Sequence, residues 1–150
     1  MCLFLKTNVL DENTFKTAKE DLAFYKVLLY LKNVNVNVED GERYATPYRG
    51  MPVKLGELYQ DVEPNYFVTQ STMAPGYERC IFGGGFHLFR DYADALDFGE
   101  MFSNSRVVRA IVPKGTRYAV GDYKLCRFGR VYKSAVAKSV IYYEQPKEEL

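Results

Sequence analysis

This chain of 150 residues has no tryptophan, one histidine and three cysteines. Cys2, Cys80 and Cys126 are odd in number and widely spaced, so they make no disulfide framework. They suit a reducing compartment, where a buried thiol packs as a small hydrophobe. A single histidine and no C-x-x-C pair exclude the common zinc sites, and no metal is expected. An excess of charge of one sign is missing too. Twenty basic and 19 acidic residues leave a net +1, which is no basis for general nucleic-acid binding, since that needs a concentrated basic surface. The local basic groups, Arg106 with Arg109 and Arg127 with Arg130 and Lys133, read as solvated faces. No apolar run reaches the length of a membrane span, and the apolar start "MCLFL" is too short for a signal peptide. The expectation is a soluble protein of the cytosol with no membrane partner.

What the chain has instead is aromatic and apolar bulk. Apolar residues make up 47% and aromatics 15%, supplied by 13 tyrosines and 10 phenylalanines. Such side chains fit the pleated, half-buried surface of a sheet. The length predicts one domain over 1–150, with "EQPKEEL" as a frayed tail from about residue 144. "LAFYKVLLYL", residues 22 to 31, reads as a central strand, although its length also permits a helix. Val34, Val36 and Val38 alternate with asparagines, and Asp40-Gly41 then gives a hairpin signal. Thr17 and Glu20 have capping-box spacing, which suggests one helical turn. Short strands are expected around Leu58 and in "NYFVTQ", "CIF" and "FHLF". "RVVRAIV", "TRYAV", "KLCRFGRVYK" and "SAVAKSVIYY" read as later strands, with "GDY" as a turn. Asp91 is placed to cap a helix near residues 92–102, with Ala93, Leu96 and Phe102 as its buried stripe. Strands and helices do not alternate. The reading is therefore an α+β fold, mainly antiparallel, in one or two packed sheets with one helix.

The glycine run in "CIFGGGFHLF" leads into His87. It lacks the lysine and hydroxyl of a phosphate-binding loop and the spacing of a dinucleotide fingerprint. Gly84 and Gly85 either let backbone N–H groups approach a ligand or permit positive φ in a turn before a strand. Alternation sets Phe86 and Leu88 on one face, His87 and Phe89 on the other. His87 then faces a cleft or solvent, or sits satisfied inside a sheet buried on both sides. Arg49 stands in "TPYRGMP", between two prolines and beside Tyr48. A guanidinium on a stiff segment suits phosphate or carboxylate, and an exposed turn arginine is the plainer alternative.

Two resemblances follow. The stretches "MCL", "TAKEDLAFYKVL", "TPYRGMPVKLGELY", "GFHLFRDYADAL" and "VVRAIVPKGTRY" cover most of the chain. Through them it resembles a group of short proteins encoded by phages and prophages of gut bacteria. That resemblance implies a small accessory protein in the cytosol of an infected host cell, where sequestering a host signalling nucleotide would modulate host defence. The order of "PYRG", "GFHLFRDYADALDF" and "AIVPKG" is similar to that of ADP-ribosyltransferases, whose two-sheet α+β fold binds NAD. Here His87 and Phe89 stand where that family carries serines, and the final strands hold no glutamate before Glu144. Asp122 and Glu144 are the nearby carboxylates, and both read as turn or strand-end residues. Transfer needs a carboxylate at the developing positive centre. The resemblance thus implies a degenerate, binding-only relative.

The expectation is binding of a nucleotide-like small molecule without catalysis, through Tyr48, Arg49, Gly84, Gly85 and His87. No cofactor is expected, and NAD enters only under the alternative of an active transferase. A further alternative is a protein-interaction module that inhibits a host protein through an exposed aromatic patch.

Overall fold

The computed structural model describes residues 3–5, 15–30, 44–47, 50–61, 66–70, 79–83, 85–125 and 130–145; at 3–5, 66–70, 79–83 and 125 the description extends to strand pairing alone. In chain order the strands are β1 (Leu3–Leu5), β2 (Lys16–Thr17), β3 (Leu22–Tyr30), β4 (Tyr44–Ala45), β5 (Pro52–Val53), β6 (Leu58–Gln60), β7 (Tyr66–Gln70), β8 (Arg79–Gly83) and β9 (Phe86–Phe89). The helix α1 (Tyr92–Gly99) follows, and then β10 (Ser105–Val112), β11 (Arg117–Leu125), β12 (Arg130–Ala137) and β13 (Ser139–Tyr143). All the described strands join one sheet, and every pairing in it is antiparallel. Its order is β6-β13-β10-β3-β9-β12-β11-β1-β8-β7, with β2 beside β11 and the β4–β5 hairpin beside β3. Of the expected one or two sheets, the described residues build one.

The long apolar run becomes β3 because both of its faces are covered. Phe24 and Leu28 enter one core with Val108, Ala110 and Val112 of β10, Leu88 of β9, Ala135 and Ala137 of β12, and Val140 and Tyr142 of β13. Val27, on the other face, packs with Phe89, Tyr132 and the α1 residues Ala95 and Phe98. A strand buried on both sides loses the polar alternation of a half-exposed one. Phe98 is the hub of the second core, ringed by Phe89, Phe102, Tyr123 and Tyr132 at centroid distances of 5.0 to 6.0 Å. Full burial of such a ring contributes about 2–3 kcal/mol.

The sheet curls. Two strands, β9 and β12, separate β3 from β11, so a flat sheet would hold Phe24 and Tyr118 about 14 Å apart at ordinary strand spacing. Their ring centroids are 6.3 Å apart. Chain continuity enforces the curl. Only Lys138 separates β12 from β13, yet β12 pairs with β9 and β11 while β13 pairs with β10 and β6. One nearly continuous stretch is therefore a strand on both sides of β3 and β9, which draws the two flanks together. Tyr44, Val53, Leu55 and Tyr59, from the segment between β4 and β6, fill the concave side.

Several local expectations are corrected. The helix ends at Gly99 rather than 102, because Met101 and Phe102 close tight turns onto Phe98 and Gly99, and Asn104 takes a positive φ of 58°. Its buried residues are Ala95, Phe98 and Gly99, not Ala93 and Leu96; Ala93 is exposed and Leu96 is 45% exposed. Asp94 and Asp97 decide that rotation, since both carboxylates bind β12: Asp94 Oδ2 accepts from the Lys133 N–H at 2.8 Å, and Asp97 Oδ2 accepts from Tyr132 and Arg130 at 2.7 Å each. The Asp91 cap forms as expected, accepting from the Ala93 N–H at 3.0 Å. Thr17 to Glu20 forms no helical turn, because Thr17 pairs with Arg117 in β2. "GDY" is no turn either. Gly121 and Asp122 lie inside β11, where the bare Gly121 leaves its carbonyl open to the Arg90 guanidinium at 2.9 Å. Ser134 to Ala137 belongs to β12, and the chain bends at Lys138 before β13. The alternating asparagines and Asp40-Gly41 lie outside the described residues, as does the tail beyond 145. Among the described residues no helix is long and apolar enough to cross a membrane.

Candidate functional site

The edge of β3 turned away from β10 carries two different elements. Tyr25 pairs with Phe89 of β9 on that edge, and Leu29 and Tyr30 pair with Ala45 and Tyr44 of the β4–β5 hairpin. Both must share the edge, because β10 occupies the opposite one from Leu22 to Leu29. No strand among the described residues pairs with Lys26, Val27 or Leu28 there. The result is a seam three residues long, between the strand that carries the histidine and the hairpin that carries "TPYRG".

Side chains complete the β9 edge along this seam. The Arg90 N–H bonds to Lys133 O on β12. By alternation, the even residues of β9 aim their backbone groups at β12, and the odd ones, His87 among them, aim theirs toward β3. The ammonium of Lys26 meets the His87 carbonyl at 2.9 Å. The Gly85 N–H, two residues earlier, donates to Asp61 Oδ2, whose carboxylate also lies 3.9 Å from Lys138 Nζ. Asp61 anchors the far end of β6, and its own N–H donates to Lys138 O. A lysine and an aspartate thus replace a length of strand ladder.

Lys26 alternates with Phe24 and Leu28, so its stem rises on the concave face. Protein crowds the ammonium enough that burial pushes its pKa down to about 8. The residue nevertheless keeps partial solvent exposure. Beyond Leu28 on the same face, the Arg106 guanidinium lies 3.9 Å from the centroid of the Tyr30 ring and bonds to the Tyr44 hydroxyl. Tyr30 and Tyr44 contact each other at 5.3 Å. Burial raises the Tyr44 pKa and keeps the hydroxyl neutral.

Of the residues singled out in the sequence, Gly85 and His87 are described, and Tyr48, Arg49 and Gly84 lie outside the described residues. Gly85 has φ +85°, and its N–H serves Asp61. His87 is half-buried. Phe86 and Leu88 pack in the concave core, so the imidazole stands on the helix-bearing face with Phe89. Its carbonyl, rather than its ring, enters the seam. At the root of the "TPYRG" turn, the Thr46 N–H donates to Met51 O and the Gly50 N–H to Thr46 O, both at 3.0 Å. Asp122, expected at a turn, sits within β11, 3.6 Å from Arg90. Glu144 is exposed just past β13.

Sequence reasoning passed over Lys26 and Asp61, and read Arg106 only as part of a solvated face. Lys26 carried the available signal, as the single charge in a ten-residue apolar run. No group of three or more histidine, cysteine or acidic residues among the described residues could hold a metal. No protein-family model, curated protein or solved structure matches this chain.

Proposed function

We propose that the protein binds a small, anionic, ring-bearing molecule of the nucleotide class along the seam, and sequesters it without converting it. The shared edge of β3 is the observation that supports this. It brings the β4–β5 hairpin and β9 to one place, with the ammonium of Lys26 and the guanidinium of Arg106 on the same face. Cations answer phosphate, and the half-buried Tyr30 ring beside Arg106 offers ring surface to a base. Tyr48, Arg49 and Gly84 are the proposed contributors from the flanking segments, and His87 acts through its carbonyl, which holds the Lys26 ammonium in place.

Thermal-shift measurements against mononucleotides, cyclic dinucleotides and NAD test the reading. A ligand at a hundred times its Kd adds about 2.7 kcal/mol, a rise of about 5–10 °C in a domain of this size. Arg106→Ala should weaken binding by at least about tenfold, the scale of one lost charged hydrogen bond. Release of nicotinamide from NAD would replace the reading with that of a transferase. A flat response across the panel would replace it with that of a protein-interaction module.

A further inference from the structure

We propose that Lys26 is a reactive amine that condenses with small anionic aldehydes or ketones entering the seam. Three observations converge on it. The side chain rises between Phe24 and Leu28 on the concave face, where the surroundings are apolar. The hydrogen bond it makes goes to a neutral acceptor, the His87 carbonyl, at the place where β9 and β3 have parted. The residue as a whole is half-buried rather than sealed in the core. An amine held against a neutral carbonyl among apolar side chains gains little from being charged, and burial accordingly lowers its pKa to about 8. At pH 7.5 about a quarter of such amines are neutral, against about one in a thousand for an ordinary lysine.

The chemistry balances without a further reactant. Lys26 first gives up its ammonium proton to solvent. The nitrogen lone pair then attacks the carbonyl carbon, a C–N bond forms, and the C=O π pair moves to oxygen. A proton passes from nitrogen to that oxygen, giving a carbinolamine. Protonation of the hydroxyl from solvent lets water leave as the nitrogen lone pair forms the C=N bond, and the resulting protonated imine returns its proton to solvent. Nothing is oxidised or reduced. The inference concerns Lys26 alone and stands or falls independently of nucleotide binding.

Competitive labelling of the intact protein tests it. The full chain is incubated at pH 7 with pyridoxal 5′-phosphate or glyoxylate under sodium cyanoborohydride, and modification at each lysine is read by peptide mass spectrometry. Lys26 should label at least about tenfold faster than the exposed Lys16, Lys114 and Lys133, the larger neutral fraction outweighing the lower nucleophilicity. That advantage should vanish in denaturant and in Lys26→Gln. Labelling of Lys26 no faster than the exposed lysines in the native protein, or a fast phase that survives Lys26→Gln, would overturn the proposal.

Discussion

Replacing Gly85 with alanine tests the closure of the sheet. A Cβ at this position would stand 2.6 Å from Val136 Cγ1 and 3.4 Å from the Ala137 carbonyl oxygen. Val136 is fully buried and β-branched, so its methyl has little room to swing aside. The backbone at φ +85° adds about 1–2 kcal/mol for any residue with a Cβ. Overpacking adds about 1–3 kcal/mol. Together they predict a loss of about 2–5 kcal/mol, or about 4–20 °C in melting temperature for a domain of this length. Gly115→Ala is the control. Gly115 has φ +89° with nothing within 4 Å of the added Cβ, so the backbone cost alone is expected, about 2–8 °C. Urea and thermal unfolding of the two variants give the comparison. The double variant Gly85→Ala/Val136→Ala should be less destabilised than the sum of its parts, because the clash is gone. If Gly85→Ala melts with Gly115→Ala, or the double variant is additive, the close approach of Gly85 to β12 is wrong, and so is the packing of the sheet there.

Two pH dependences follow from the charged groups. Lys26 has a folded pKa near 8, below its unfolded value, so between about pH 8 and 10.5 the unfolded chain binds more protons and stability rises with pH. The gain is up to about 3 kcal/mol and should be missing from Lys26→Met; parallel stability–pH curves for the two proteins would refute the buried ammonium. The Asp97 carboxyl is held below its ordinary range, chiefly by the Tyr132 hydroxyl and also by Arg130. Its contribution is full above the ordinary carboxylate pKa and is lost as pH falls through the lower folded value. Asp97→Asn should melt below the native protein at pH 6, and the gap should close toward pH 2; a gap independent of pH would break the assignment.

Where the physics is local, the sequence was legible. The alternation in "FHLF" and the cap at Asp91 depend on near neighbours, and both appear as read. The rotation of α1 does not, since it is set by Asp94 and Asp97 reaching Lys133, Tyr132 and Arg130, more than thirty residues away. A helical wheel counts Leu96 as core and cannot see those partners. "GDY" misleads for a similar reason: glycine and aspartate usually mark a turn, but here Gly121 leaves its carbonyl open to Arg90 and Asp122 lies beside the same guanidinium. The seam was the least visible feature. It exists because β9 leaves β3 after one pair, and the single charge at Lys26 hints at it without locating its partner on β9.

The bend at Lys138 fixes the order in which the molecule can assemble. Residues 130 to 143 supply neighbours to β9, β11, β10 and β6, and they leave a ribosome after all four of those partners, since β6, β9, β10 and β11 precede them in the chain. Until they emerge, the nascent chain carries the apolar surfaces of Phe24, Leu28, Leu88 and Val108 with no lining to shut them away. Closure of the sheet must therefore wait for residues 130 to 143, and a chain cut short before Arg130 would expose an aggregation-prone half-roll rather than a smaller working protein.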